Sequence, residues 1–143
     1  MNKKIFAYAV RLLFIFLFFY TASSKLLEAR SFVLVLKQSP LIGNNAALVA
    51  WSVPTIELVT ALFLVFPKTQ KIGMLVSFCL MLLFTMYIGY MIIYTPHLPC
   101  TCGGVTRYLT WREHLCLNIA LLILSGNAIY FQKREKAENL LKE

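Results

Sequence analysis

The residues best suited to chemistry are two thiols one position apart, Cys100 and Cys102, in the stretch Pro99-Cys100-Thr101-Cys102-Gly103-Gly104. The glycines that follow let the backbone turn sharply. A one-residue gap strains a disulfide, and strained, accessible disulfides are the oxidising and exchangeable ones. His97, Arg107, Arg112 and His114 stand nearby in the chain, and positive neighbours favour the reactive thiolate. Three readings are open on these residues alone. The pair exchanges electrons with an external thiol or disulfide, or it is a static disulfide that pins the segment, or with His97, His114 or Cys116 it holds a soft metal. The spacing matches no strong zinc or copper signature, so no metal is favoured. Cys116 is either a third, resolving thiol or an apolar filler. Cys79 lies roughly 20 Å or more from the Cys100 segment at helical rise, which excludes direct exchange and leaves it a packing role.

A second candidate is Glu57, the only acidic residue inside a long apolar segment. An ionisable group near the middle of a bilayer is expensive, faces other helices and marks a functional site by default. Glu57 falls on a stripe with Ala47, Ala50, Pro54 and Ala61, and small residues at helical spacing show where membrane helices meet. Arg11 offers a partner, since it lies ~9 Å from the inner end of its segment and Glu57 ~13 Å from the inner end of its own. The plainer alternatives are that Arg11 snorkels to the interface and that Glu57 is protonated and hydrogen-bonded. A functional Glu57 would relay protons or touch a quinone headgroup. Trp51 and Trp111 read as interfacial belt residues that could also line a cavity beneath the cysteine segment.

These residues need elements to hold them, and the composition says which kind. The chain is 143 residues long, 59% hydrophobic and 14% charged, so the bilayer is the expected solvent. Four apolar segments, 5–23, 46–66, 72–94 and 114–131, are long enough to span. The first follows Lys3 and Lys4 and is too long for a signal peptide, so it reads as an uncleaved anchor. Residues 24–45 contain the run Phe32-Val33-Leu34-Val35-Leu36 between Lys25, Arg30 and Lys37. That is too apolar for a free loop and too short to span, and it predicts an interfacial or re-entrant helix that ends at Ser39-Pro40 and covers the outer face. Gly73 with Ser77, and Thr85 with Gly89, add two small-xxx-small pairs in the third segment. The expected fold is all-α, one domain over 1–143: an antiparallel four-transmembrane-helix bundle with an extra outer-face helix and a tail, 132–143, that forms a short solvated helix of mixed charge.

The formal charge is +8, but the basic residues are scattered among the apolar segments, which argues against nucleic acid and for an orienting role. Lys3, Lys4, Lys68, Lys71, Lys133, Arg134, Lys136 and Lys142 share one side; Lys25, Arg30, Lys37, Arg107 and Arg112 share the other. The excess places both termini in the cytoplasm and the cysteine segment outside it, where thiols become disulfides.

Taken together, Ser24-Lys25-Leu26-Leu27 after the first span, Trp51-x-x-Pro54-x-x-Glu57 in the second, and Cys100-x-Cys102-Gly103 before the fourth resemble the MauE/DoxX redox-associated membrane proteins over about residues 6–131. The resemblance implies a plasma (inner) membrane component working beside extracytoplasmic thiol-disulfide proteins. MauE-like members act in methylamine dehydrogenase maturation, and DoxX-like members are associated with quinone-linked sulfur or redox chemistry. It further implies that Cys100 and Cys102 are the redox pair and that Lys25 and Glu57 belong to a polar membrane site. MauE-like loops often read CxCFG, whereas Gly103-Gly104 stands here, so methylamine metabolism does not follow. The expectation is a thiol-disulfide oxidoreductase component that passes electrons between a thioredoxin-like partner and a quinone. A non-catalytic assembly subunit and a small-solute or metal transporter centred on Glu57 are the competing readings. No hydrolytic triad or phosphate loop is visible.

Overall fold

In the structure, a computed structural model, residues 3–95 and 109–140 are described. Cys100, Cys102, His97 and Arg107 lie outside them. The order is α1 (Lys3–Leu27), α2 (Ala29–Lys37), a 3-10 turn (Gly43–Asn45), α3 (Ala46–Val65), α4 (Gln70–Tyr94) and α5 (Trp111–Leu140). Four helices are long and apolar enough to cross a membrane: Lys4–Leu27, Gly43–Val65, Gln70–Tyr94 and Trp111–Arg134. Two boundaries differ from expectation. The first span does not stop at residue 23 but continues through Leu27, and the last starts at Trp111 instead of residue 114; the expected helix of the charged tail is present as an unbroken continuation of that span to Leu140. Inside lipid a backbone must satisfy its own hydrogen bonds, so a helix passes straight through polar residues such as Ser24 and Lys25.

α1 shows how the bundle is built. Val10, Phe14, Phe18 and Ala22 repeat every fourth residue and are buried, while Leu12, Phe16, Phe19 and Tyr20 on other faces are exposed. A helix apolar on every side belongs in a membrane. The buried stripe packs with Ala61, Leu64, Met74, Met81, Leu121 and Ala128 into the main core. α1 contacts α3 and α5, and α4 contacts α5 and α3, so the four close into a ring in the order α1, α3, α4, α5. The antiparallel register of α1 and α3 is fixed by Lys25 with Glu57, and Arg11 ties α1 to the start of α4 at Gln70.

The α3–α4 hairpin is tight at one end. Pro67 favours extended backbone before it, and Phe66 has φ −80°, ψ 128°. The Thr69 hydroxyl donates to the Phe63 carbonyl at 2.9 Å. Gly73 then lies so close to α3 that a Cβ there would stand 2.9 Å from the Leu64 backbone nitrogen. Gly89 differs: nothing comes within 4 Å of its Cβ position. Of the two small-residue pairs in this helix, only the one at the hairpin end is used for close approach.

At the other end, α2 turns Phe32 and Leu36 inward onto Ala46 and Ala50 of α3 and leaves Arg30, Leu34 and Lys37 exposed. It is the short covering helix that the sequence predicts. Ser39 Oγ donates to Met91 Sδ at 3.7 Å, which ties this roof to α4. The inward stripe of α3 is Ala46, Ala50, Pro54, Glu57 and Ala61; Ala47 is exposed, one position off the face assigned to it.

Candidate functional site

Beneath the α2 roof is a cavity of about 450 Å³. The residues that reach it continue the packing stripes of their helices. In α1, Phe18, Thr21 and Lys25 follow at three- and four-residue spacing, so Lys25 points inward for the same reason as the phenylalanine below it. In α3 the neighbours are Val49, Val53, Ile56 and Glu57; in α5, Trp111, His114, Asn118 and Leu121 form one stripe. Phe84 and Tyr87 of α4 complete an aromatic side, and Phe32, Leu36 and Ile42 close the top.

The polar groups converge inside these apolar walls. Lys25 Nζ donates to Glu57 Oε1, and the Lys25 side chain is 19% exposed while that of Glu57 is 2% exposed. The ammonium also lies 5.4 Å from the centroid of the Phe84 ring and 6.0 Å from that of Phe32, positions where a ring face attracts a cation. Glu57 Oε2 and Asn118 Nδ2 are buried and have no hydrogen-bond partner among the described residues. Buried polar groups are normally satisfied, so an unpaired donor and an unpaired acceptor around one cavity describe a site shaped for a ligand carrying both. Among the described residues no three His, Cys, Asp or Glu side chains gather as a metal site would need.

The predicted site residues are distributed unevenly around this cavity. Glu57, Lys25 and His114 line it together. Arg11 does not reach Glu57. It donates to the Gln70 side chain and lies 4.9 Å from the Tyr8 ring centroid; the residue of α1 that stands opposite Glu57 is Lys25, and Arg11 is 14 residues, roughly 21 Å, farther down the same helix. Trp51 is 59% exposed on the outer surface, one position off the stripe that carries Ala50 and Pro54, and so stands apart from the cavity; Trp111 lines it. Arg112 is exposed. Cys116 is a free, exposed thiol, turned roughly 200° around α5 from His114 and hence away from the cavity. Cys79 is likewise free and exposed, on the outside of α4 and not packed within the bundle.

Asn118, Thr21, Phe84 and Tyr87 are cavity residues that sequence reasoning did not single out. Asn118 had a usable signal, a lone amide four residues after His114 in an apolar helix. For the aromatic pair no such signal exists in a chain with this many aromatic residues.

A quinone, the cofactor the sequence resemblance implies, can be tested against these residues. Its flat ring suits the Phe84, Tyr87 and Trp111 walls, its carbonyl oxygen suits the unpaired Asn118 Nδ2, and the hydroxyl of its reduced, quinol form would supply the donor that Glu57 Oε2 lacks. The residues fit the group. The cavity also meets one attachment point of the cysteine segment: the chain leaves α4 at Thr95, whose hydroxyl donates to Met91 Sδ at 3.5 Å, and returns at Leu109, which lines the cavity.

Comparison with known proteins gives one positive finding. A family model described as methylamine utilisation protein MauE matches residues 3–131. No curated protein and no solved structure matches the chain significantly.

Proposed function

The chain belongs to the MauE family, and from that membership and the polar cavity we propose that this multi-pass membrane protein is a thiol-disulfide redox component using Cys100 and Cys102. The observation that carries the reading is the polar set Lys25, Glu57, His114 and Asn118 at the end of the bundle where the chain departs at Thr95 and re-enters at Leu109. Chain length alone keeps Cys100, five residues past Thr95, within about 18 Å of it at about 3.6 Å per residue.

Exchange with an extracytoplasmic thioredoxin-like partner follows ordinary thiol chemistry. One thiolate attacks the partner's disulfide and forms a mixed disulfide; the second displaces the partner as a dithiol and closes the Cys100–Cys102 bond. Two electrons and two protons thus leave this protein's pair per cycle in one direction, and enter it in the other. A quinone in the cavity would supply the matching two-electron, two-proton couple. The chain's own residues then have defined tasks: Asn118 Nδ2 donates to a carbonyl oxygen, the Lys25–Glu57 pair holds an exchangeable proton beside it, and the α2 roof keeps bulk water out. Both termini are cytoplasmic in this reading, with the cysteine segment outside.

Alkylation trapping of the two thiols in intact membranes tests it. Added duroquinone, whose fully substituted ring accepts two electrons and two protons without adding a thiolate, is expected to move the pair to the disulfide, and a reduced thioredoxin-like donor to move it back. A pair locked in one state under every donor and acceptor would overturn the proposal. A non-catalytic assembly role predicts instead that Cys100→Ser with Cys102→Ser leaves partner maturation intact.

A further inference from the structure

The cavity has a sealed side and an open side, and their placement says how a ligand arrives. Above it stand Phe32, Val35, Leu36 and Ile42 of the roof, tied down through Ser39 and Met91. Among the described residues that line it, the exposed ones are Ile56 on α3, at 45%, and Leu83 on α4, at 61%. Both lie near the middle of their helices, ten residues from Ala46 and thirteen from Gln70, which is mid-bilayer for spans of this length. The backbone-to-backbone approach of these two helices is at Gly73, near the hairpin, ten residues along α4 from Leu83.

We infer that the gap between Ile56 and Leu83 is a lateral portal from the lipid, and that the cavity takes a membrane-borne amphiphile. Its carbonyl head accepts from Asn118 Nδ2 beside the Lys25–Glu57 pair, and its apolar tail passes out between α3 and α4. This rests on the redox reading for the identity of the head, a quinone. The portal itself rests on the exposure of two lining residues and on two buried polar atoms, Asn118 Nδ2 and Glu57 Oε2, that lack partners among the described residues. Apolar walls with a few convergent polar groups are what fix orientation in small-molecule sites generally.

The chain has two tryptophans, and only Trp111 lines the cavity, which provides a binding signal independent of turnover. In a Trp51→Phe background, the full chain in phosphatidylethanolamine/phosphatidylglycerol nanodiscs is titrated with two probes, a benzoquinone with a long isoprenoid tail and the same ring without a tail. Saturable quenching of Trp111 is expected with both. Filling the gap with Ile56→Phe and Leu83→Phe is expected to weaken the tailed probe about tenfold and the tail-less probe less than about twofold, while Asn118→Leu weakens both about tenfold, the loss of one good hydrogen bond. Leu75→Phe, the same bulk added on the exposed surface of α4 outside the cavity lining, controls for folding and is expected to leave both within about twofold. Equal effects of the filling variants on the two probes, or absence of saturable quenching by the tailed one, would overturn the portal. Loss of thiol cycling with binding intact would sink the redox reading and leave the portal standing.

Discussion

Lys25 and Glu57 meet where water is scarce, and the energetics of that meeting separate structure from function. Taking both groups out of water costs several kcal/mol each, and their attraction repays it only with good geometry, so apolar replacement of a whole buried pair is often neutral or stabilising. Removing one partner is different, since it strands the other. Lys25→Met and Glu57→Leu are each expected to lower unfolding stability by about 3–5 kcal/mol, and the double variant to stand within about 1 kcal/mol of the original protein. Reversible unfolding in mixed micelles measures the cycle, and a double variant as unstable as the two singles added together would show that the residues do not act as a unit. The same double variant is expected to stop thiol cycling despite its recovered stability. Glu57 was legible as the one acid in an apolar segment. Its partner was not legible from depth, because counting along two helices separately gives no register; only the family pattern drew attention to Lys25. Asn118 escaped because an uncharged amide does not interrupt a hydropathy pattern.

At the scale of the helices, the α3–α4 pair carries the most specific expectation. A methyl group at Gly73 would sit 2.9 Å from the Leu64 nitrogen and 3.0 Å from the Phe63 carbonyl carbon. Backbone cannot swing aside as a side chain can, so Gly73→Ala is expected to force the helices apart and cost about 1–3 kcal/mol. Gly89→Ala meets no neighbour and is expected to be neutral or to gain up to about 1 kcal/mol from helix propensity. Thermal unfolding of the two variants in the same detergent checks the contrast, and equal losses would refute the close approach. The spans and the covering helix were readable from length, hydropathy and the basic residues that bound the short apolar run from Phe32 to Leu36. The ends of α1 and α5 were not, because a run of polar or charged residues looks like a stop while a helix needs only its own backbone bonds to continue. Spacing sets Gly73 and Gly89 roughly 160° apart around α4, but it could not tell which of the two faces meets α3 until the hairpin brings Gly73 against Leu64.

For the whole molecule the open question is which way it faces, and the fold sharpens the charge argument. Lys25 is drawn into the bundle by Glu57, so it no longer counts among the flanking charges of its side. Arg30, Lys37, Arg107 and Arg112 remain there, against Lys3, Lys4, Lys68, Lys71, Lys133, Arg134, Lys136 and Lys142 on the other. Orientation follows Lys and Arg in short flanks, so the N-terminus, the α3–α4 turn and the end of α5 are expected in the cytoplasm and the cysteine segment outside. Single-cysteine variants read this directly. With the other cysteines replaced by serine, Cys100 is expected to react with a membrane-impermeant maleimide in intact cells, and a Glu143→Cys thiol only after permeabilisation. Cys79 is exposed in the structure, yet nine residues into a spanning helix its surroundings are lipid, and it is expected to resist the reagent in both conditions. Labelling of the Glu143→Cys thiol in intact cells, with Cys100 protected, would reverse the orientation and put the thiol pair in a reducing compartment, where a stable disulfide cycle with an extracytoplasmic partner has no place.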